Sequence, residues 1–367
     1  MSCDVFALAN AGVRGLQPYQ PGKPIEELQR ELGLSDVVKL ASNENPLGPS
    51  PLALAAAERA LKNLHLYPDA SGFELKKKLA VKLGVSEQQF TLGNGSNDVL
   101  DLIARTFLGP GCSAVFSQHA FIVYPIAVQA VGARAIVTPA KNWGHDLAAM
   151  AAAIEADTRV VFIANPNNPT GNYLNRDELS AFLAQVPGHV MVVLDEAYIE
   201  FAAADDFPDG LKFLQSYPNI IVTRTFSKAY GLAGLRIGYG ISAAETADLL
   251  NRVRAPFNVS VPALAAALAV LDDEDYLQCS QQINRDGMAQ ICQGLDALGL
   301  RYIPSLGNFI AVELASDAMP VYQALLREGV IVRPVGVYQM PKHLRVSIGL
   351  PHENKRFLDA LKKVLSV

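Results

Sequence analysis

Short, continuous apolar runs punctuate the chain at residues 114–116, 135–138, 160–164, 190–194, 220–223 and 237–241. Most are β-branched and do not alternate with polar residues. A strand that is apolar on both faces must be covered on both, which predicts a mainly parallel sheet sandwiched by helices. Helical periodicity fills the intervals at 97–107, 147–156 and 176–185. This alternation is the mark of an α/β architecture. From about Val261 the pattern changes to long Ala/Leu-rich helical stretches, then apolar runs at 308–313, 330–332 and 344–348. The change predicts a large domain over 46–260 and a smaller α+β domain over 261–367. Residues 1–45 hold two Pro-punctuated segments with little core of their own, so an arm or a part of the small domain is expected there.

Composition narrows the class. Half of the 367 residues are hydrophobic and 18% are charged, as in a globular chain rather than a disordered one. The 31 basic side chains against 36 acidic give a net charge of −5, with no Lys/Arg blocks, which argues against nucleic-acid binding. Cys3, Cys112, Cys279 and Cys292 form no C-x-x-C pair and histidine is sparse. Neither a metal site nor a disulfide framework is expected, and a reducing, cytoplasmic setting is. The N-terminal residues lack the basic-then-apolar layout of a signal peptide. The longest apolar run, 263–271, falls far short of the roughly 20 residues that a membrane span needs.

Ligands of open α/β sheets bind beyond the carboxyl ends of the strands, so the residues after each run carry the candidate chemistry. After 160–164 comes N-P-N-N-P-T-G at 165–171, a rigid turn that can fix the direction of Asn168. After 190–194 comes Asp195-Glu-Ala-Tyr198; a carboxylate at the end of a buried strand needs a cation or hydrogen-bond donors. A helix cap or a structural ion pair would also explain Asp195 taken alone. After 220–223 comes T-F-S-K-A-Y-G-L-A-G-L-R at 225–236, which sets Lys228 among small residues. Near the start of the first long helix, T-L-G-N-G-S-N-D at 91–98 offers free backbone N–H groups of the kind that attract a phosphate, although plain capping by Ser96 or Asn97 would look the same. The third glycine of a dinucleotide fingerprint is missing. Each signal is weak alone. A phosphate cradle, an Asn, an Asp followed by a Tyr, then Ser-Lys and an Arg, all at strand ends, together call for pyridoxal 5′-phosphate.

The 225–234 stretch is similar to the lysine signature of the class-II aminotransferases. Almost the whole chain resembles the pyridoxal-phosphate-dependent aminotransferases of fold type I. The matching segments include V-R-G-L-Q-P-Y at 13–19, L-A-S-N-E-N-P-L-G at 40–48, Y-P-D at 67–69 and L-R-V-S-I-G at 344–349. The first two favour the histidinol-phosphate branch of that family. The resemblance implies that Lys228 binds the cofactor aldehyde as an imine and later moves the proton, and that Asp195 pairs with the pyridinium nitrogen. It implies that Asn168 and Tyr198 hold the phenolic oxygen, and that Phe121 stacks on the ring. The phosphate would sit on Ser96 and Asn97, with Ser227 and Arg236 completing the cradle. Tyr67 would reach it from the other subunit, making a homodimer with shared active sites. Arg333 and Arg345 would bind substrate, joined by Tyr19, Asn43 and Asn308. A guanidinium fork suits both the phosphate of histidinol phosphate and a carboxylate of glutamate. The implied reaction converts L-histidinol phosphate and 2-oxoglutarate to 3-(imidazol-4-yl)-2-oxopropyl phosphate and L-glutamate, in histidine biosynthesis. An aminotransferase for aromatic amino acids, a threonine-phosphate decarboxylase and a non-catalytic protein on the same scaffold share these motifs.

Overall fold

The computed structural model describes residues 3–365. Among them, one sheet of seven strands runs Phe90–Gly93, Gly238–Ser242, Ile220–Thr225, Met191–Asp195, Thr158–Ala164, Ser113–Ser117, Arg134–Thr138. Its pairings are parallel except the two made by Gly238–Ser242. The continuous apolar runs behave as two-faced strands. Val160 and Phe162 pack under the helices Ser96–Phe107 and Val123–Ala130. Val161 and Ile163 pack under Leu147–Ala152 and Arg176–Leu183 on the opposite face. Deleting most of a side chain as enclosed as Phe162 costs about 3–5 kcal/mol.

Three local features differ from the sequence pattern. The run at 237–241 forms an antiparallel strand because only the short turn Ala233–Leu235 interrupts its connection to Thr225, and a parallel crossover usually needs a helix. The run at 135–138 is an edge strand, with Val137 48% exposed; Arg134 guards that edge through pairs with Glu155 (2.6 Å) and Asp157 (3.0 Å). Phe90–Gly93, read in the sequence only as the approach to a helix, forms the opposite edge.

In the C-terminal part an antiparallel sheet runs Arg301–Ile303, Phe309–Glu313, His343–Ser347, Arg333–Pro334. The run at 330–332 is strand only over its first two residues, and the next strand begins just beyond it at Arg333. Val330–Ile331 pairs in parallel with Val38–Lys39, and Arg333 pairs with Arg345. The N-terminal segment therefore has apolar anchors: Leu28 and Ala41 bury against Leu326 and Ile331, and Leu40 joins the main cluster of the small unit. The helix Val261–Val270 buries Ala263, Ala266 and Ala267 in the cluster of Leu75, Phe226 and Tyr239. By burial it sits with the large unit. We propose that the division falls at Asp273, the cap of the helix Glu274–Ala297, rather than at 261. Among the described residues no helix is long and apolar enough to cross a membrane.

Candidate active site

The carboxyl ends of the parallel strands open into a cavity closed on its far side by the N-terminal segment and the small unit. Ser96, Asn97, Phe121, Asn168, Asp195 and Tyr198 line it from the large unit. Ser227, Lys228 and Arg236 line it from the connection after Ile220–Thr225. Tyr19, Asn43, Arg333 and Arg345 complete the wall.

Asp195 ends its strand 4% exposed. One carboxylate oxygen accepts from Tyr124 Oη at 2.9 Å and the other from Thr223 Oγ1 at 3.0 Å. Both donors are neutral, and among the described residues Asp195 has no ion pair, so a structural ion pair does not account for it. Burial pushes its pKa up, while the two hydroxyls and the Ala197 backbone N–H hold it down. A cation placed against this carboxylate would restore its charged form.

Lys228 donates from Nζ to the Ser42 carbonyl at 3.2 Å. Burial, then the Arg345 guanidinium, lowers its pKa to about 7. Near neutrality a large share of the amine is unprotonated and nucleophilic, which an ordinary lysine is not.

Tyr198 Oη accepts from Asn43 Nδ2 at 2.9 Å and Asn168 Nδ2 at 3.2 Å. Two amide donors occupy its lone pairs and leave its own proton free to be donated. Burial pushes its pKa up to about 12, against the pull of Arg345, so it stays a phenol. Arg345 Nη1 donates to Asn168 Oδ1 at 2.6 Å, and this fixes which way that amide points. Its Nη2 donates to the Ala41 carbonyl at 2.8 Å, and its buried Nε has no partner among the described residues. Asn43 holds φ 54°, donates its N–H to Ser347 Oγ (2.8 Å) and accepts from the same hydroxyl (3.0 Å). It thus ties the N-terminal segment to both units.

At the other end of the cavity the helix Ser96–Phe107 starts from Gly95, with no side-chain cap. Capping by Ser96 or Asn97 is thereby replaced by open N–H groups with a favourable helix dipole. Gly95 sits at φ 84°, and a Cβ there would overlap the Arg236 guanidinium. Arg236 Nη1 reaches Ser227 Oγ at 3.3 Å. These groups converge on a site for a small anion.

Arg333 and Arg345 lie directly across from each other on adjacent strands. Like charges so placed repel, which an anion between them would relieve. Arg333 Nη2 donates to the Gln20 carbonyl at 2.6 Å, and its guanidinium lies 5.9 Å from the Tyr19 ring.

Two expected residues lie elsewhere. Tyr67 is 81% exposed, outside this cavity. Asn308 is buried but does not line the wall; its Nδ2 donates to the Asn43 carbonyl at 3.1 Å and so supports Asn43 from behind. Three contributors went unread in the sequence: Tyr124, Thr223 and the Ser42 carbonyl. Thr223 carried a signal, as a hydroxyl closing an apolar run, but its meaning depends on the register that sets it beside Asp195.

The sequence was compared with known proteins. The family pattern for aminotransferases of class I and II matches residues 35–361. Histidinol-phosphate aminotransferase 2 of Pseudomonas aeruginosa is 64% identical over 99% of both chains. Histidinol-phosphate aminotransferase 1 of Mannheimia succiniciproducens is 55% identical over 98% of both. Among solved structures, the Sinorhizobium meliloti histidinol-phosphate aminotransferase in complex with pyridoxal 5′-phosphate superposes with a TM-score of 0.90 at 32% identity, covering 97% of each chain. A single mutant of Thermus thermophilus aspartate aminotransferase shares the fold at a TM-score of 0.84 and 22% identity, over 97% of this chain and 99% of that one. The chain belongs to the class I and II aminotransferase family.

Proposed function

We propose that the chain is a pyridoxal-5′-phosphate-dependent histidinol-phosphate aminotransferase of histidine biosynthesis, with glutamate and 2-oxoglutarate as the second substrate pair. The observation that carries this reading is a single cavity that joins a nucleophilic lysine, a buried carboxylate without a cation, an open helix start and two facing arginines. The full-length likeness to histidinol-phosphate aminotransferases supports the choice of substrate.

The residues fit the cofactor. Gly95 leaves the anion cradle open where a Cβ would fill it, and the buried Asp195 carboxylate is suited to a protonated ring nitrogen. When bound, the cofactor supplies a carbonyl that takes up an amino group and a ring that withdraws electrons from the carbon being deprotonated. Asp195 would hold the ring-nitrogen proton; Tyr124 and Thr223 fix its carboxylate. Tyr198 would donate its hydroxyl proton to the phenolic oxygen, with Asn168 donating to Tyr198 beside it. Phe121, which lines the cavity, would pack on the ring face. Ser96, Asn97, Ser227 and Arg236 bind the phosphate. Lys228 Nζ would remove a proton from the substrate carbon and return it during product formation. Arg333 and Arg345 bind the substrate anion, with Tyr19 and Asn43 closing the site from the N-terminal side and Asn308 bracing Asn43.

The working unit in this reading is a homodimer in which Tyr67 completes the partner's phosphate site. Leu61, Leu64, Leu66 and Tyr67 support it: four apolar or aromatic side chains, each more than half exposed, gather in one short segment between the polar Lys62, Asn63 and His65. A cytoplasmic setting accords with four free thiols among the described residues.

An amino-acceptor panel tests the substrate. Imidazole-acetol phosphate is expected to give a higher kcat/KM than phenylpyruvate by at least about tenfold, the order of discrimination that one lost charged contact produces. A preference for phenylpyruvate would move the assignment to aromatic amino acids. L-threonine phosphate losing carbon dioxide without any keto acid would move it to the decarboxylases. Arg345→Gln is expected to impair the glutamate and histidinol-phosphate half-reactions alike in single-turnover absorbance measurements. Loss of only one would show two separate anion sites.

A further inference from the structure

Tyr67 is exposed, yet its ring is held. It stacks on Phe257 with centroids 4.6 Å apart and planes inclined by 20°. Phe257 adopts φ 57°, a left-handed backbone that a bulky residue keeps only where its surroundings fix it. Those surroundings run in two directions. Arg254 donates Nη1 to Asn258 Oδ1 (2.8 Å) and Nη2 to the carbonyl of Ala70, in the segment that follows Tyr67 (2.7 Å). Asn258 donates Nδ2 to Asp98 Oδ2 at 2.8 Å and to the Leu92 carbonyl at 3.1 Å, and its own carbonyl accepts from Asn94 Nδ2 at 3.1 Å. Asp98 also accepts the Asn94 N–H at 2.8 Å. The loop 254–258 is thus tied both to the segment that carries Tyr67 and to the residues that frame the helix start at Ser96.

We propose that Phe257 is a positioning residue for Tyr67, holding its phenol ready to donate to the phosphate bound in the partner's cavity. The proposal rests on the shared-site reading above. An unrestrained exposed tyrosine would lose rotamer freedom when it met the phosphate; a ring already stacked loses little. The loop that braces the phenol also braces the chain's own phosphate cradle, so both halves of a shared site are built on one support.

The test is cofactor affinity, measured on the full-length apo-protein by fluorescence titration with pyridoxal 5′-phosphate and, in parallel, with pyridoxal. Phe257→Leu keeps apolar bulk and the same backbone demand but removes the flat ring. It is expected to weaken pyridoxal 5′-phosphate by about three- to tenfold, the cost of ordering one side chain, and to leave pyridoxal unchanged. Phe257→Met serves as a second non-aromatic variant, and Phe257→Tyr is expected to restore affinity. In a Tyr67→Phe background, Phe257→Leu is expected to add nothing. Equal losses for pyridoxal, or an undiminished loss in the Tyr67→Phe background, would overturn the proposal. If Tyr67→Phe weakens pyridoxal 5′-phosphate while Phe257→Leu does not, only the positioning role falls. If Tyr67→Phe leaves that affinity unchanged, the shared-site reading falls and takes the proposal with it.

Discussion

An Asp195→Ala enzyme is expected to turn over roughly 10³-fold more slowly, the scale on which one preorganised electrostatic partner contributes to a buried reacting centre. The reason lies in the surroundings of the carboxylate. Its neighbours are the hydroxyls of Tyr124 and Thr223, which orient it without neutralising it. Its charge is therefore available to keep a ring nitrogen protonated, and an electron-poor ring is what makes the substrate carbon acidic. Asp195→Asn separates charge from shape. It retains an acceptor for one hydroxyl and the volume of the side chain, and it is expected to lose nearly as much rate as the alanine variant. Pre-steady-state measurement of substrate-carbon deprotonation reads the step directly. Turnover near wild type in either variant would remove Asp195 from the chemistry.

Covalent loading of the apo-protein is expected to depend on pH through Lys228. Its amine titrates at about 7 in the folded chain, lowered from the ordinary value by burial and by Arg345. Below that value the amine is protonated and cannot attack a carbonyl. Loading should therefore rise as pH increases through 7 and then level off, rather than climb toward the roughly 10.4 of a free lysine. The same sign holds for stability. Between the folded and unfolded values the unfolded chain binds more protons at this site, so its contribution makes the apo-protein more stable as pH rises through that window. Arg345→Gln removes a positive neighbour and is expected to move the loading curve to higher pH. A loading curve with no inflection near neutrality, or one that Arg345→Gln shifts downward, would contradict this assignment. Lys228→Ala is expected to leave the cofactor bound, if at all, without a covalent link, and to abolish measurable transamination.

The sequence made the inner strands of the large sheet legible because they are buried on both faces and so appear as unbroken apolar runs. It made the reacting lysine and Asp195 legible because each follows such a run directly. What it hid depends on neighbours distant along the chain. Thr223 matters through its register with Asp195, and Tyr124 through the packing of a helix across the sheet end. Asn308 looked like a wall residue, yet it serves one step back, because a glycine-flanked asparagine reveals its donors but not their target. The direction of Gly238–Ser242 was hidden because an apolar run carries no polarity; only the lack of a crossover helix in the preceding connection decides it. The N-terminal segment looked coreless since Leu28 and Leu40 find their apolar partners hundreds of residues away, in the small unit.

Borohydride reduction of the holoenzyme followed by peptide mass mapping asks the most direct question, namely which nitrogen carries the cofactor. The expected result is a single phosphopyridoxyl adduct on the peptide containing Lys228, absent from the Lys228→Ala protein. An adduct on any other lysine, or none at all, would contradict the account.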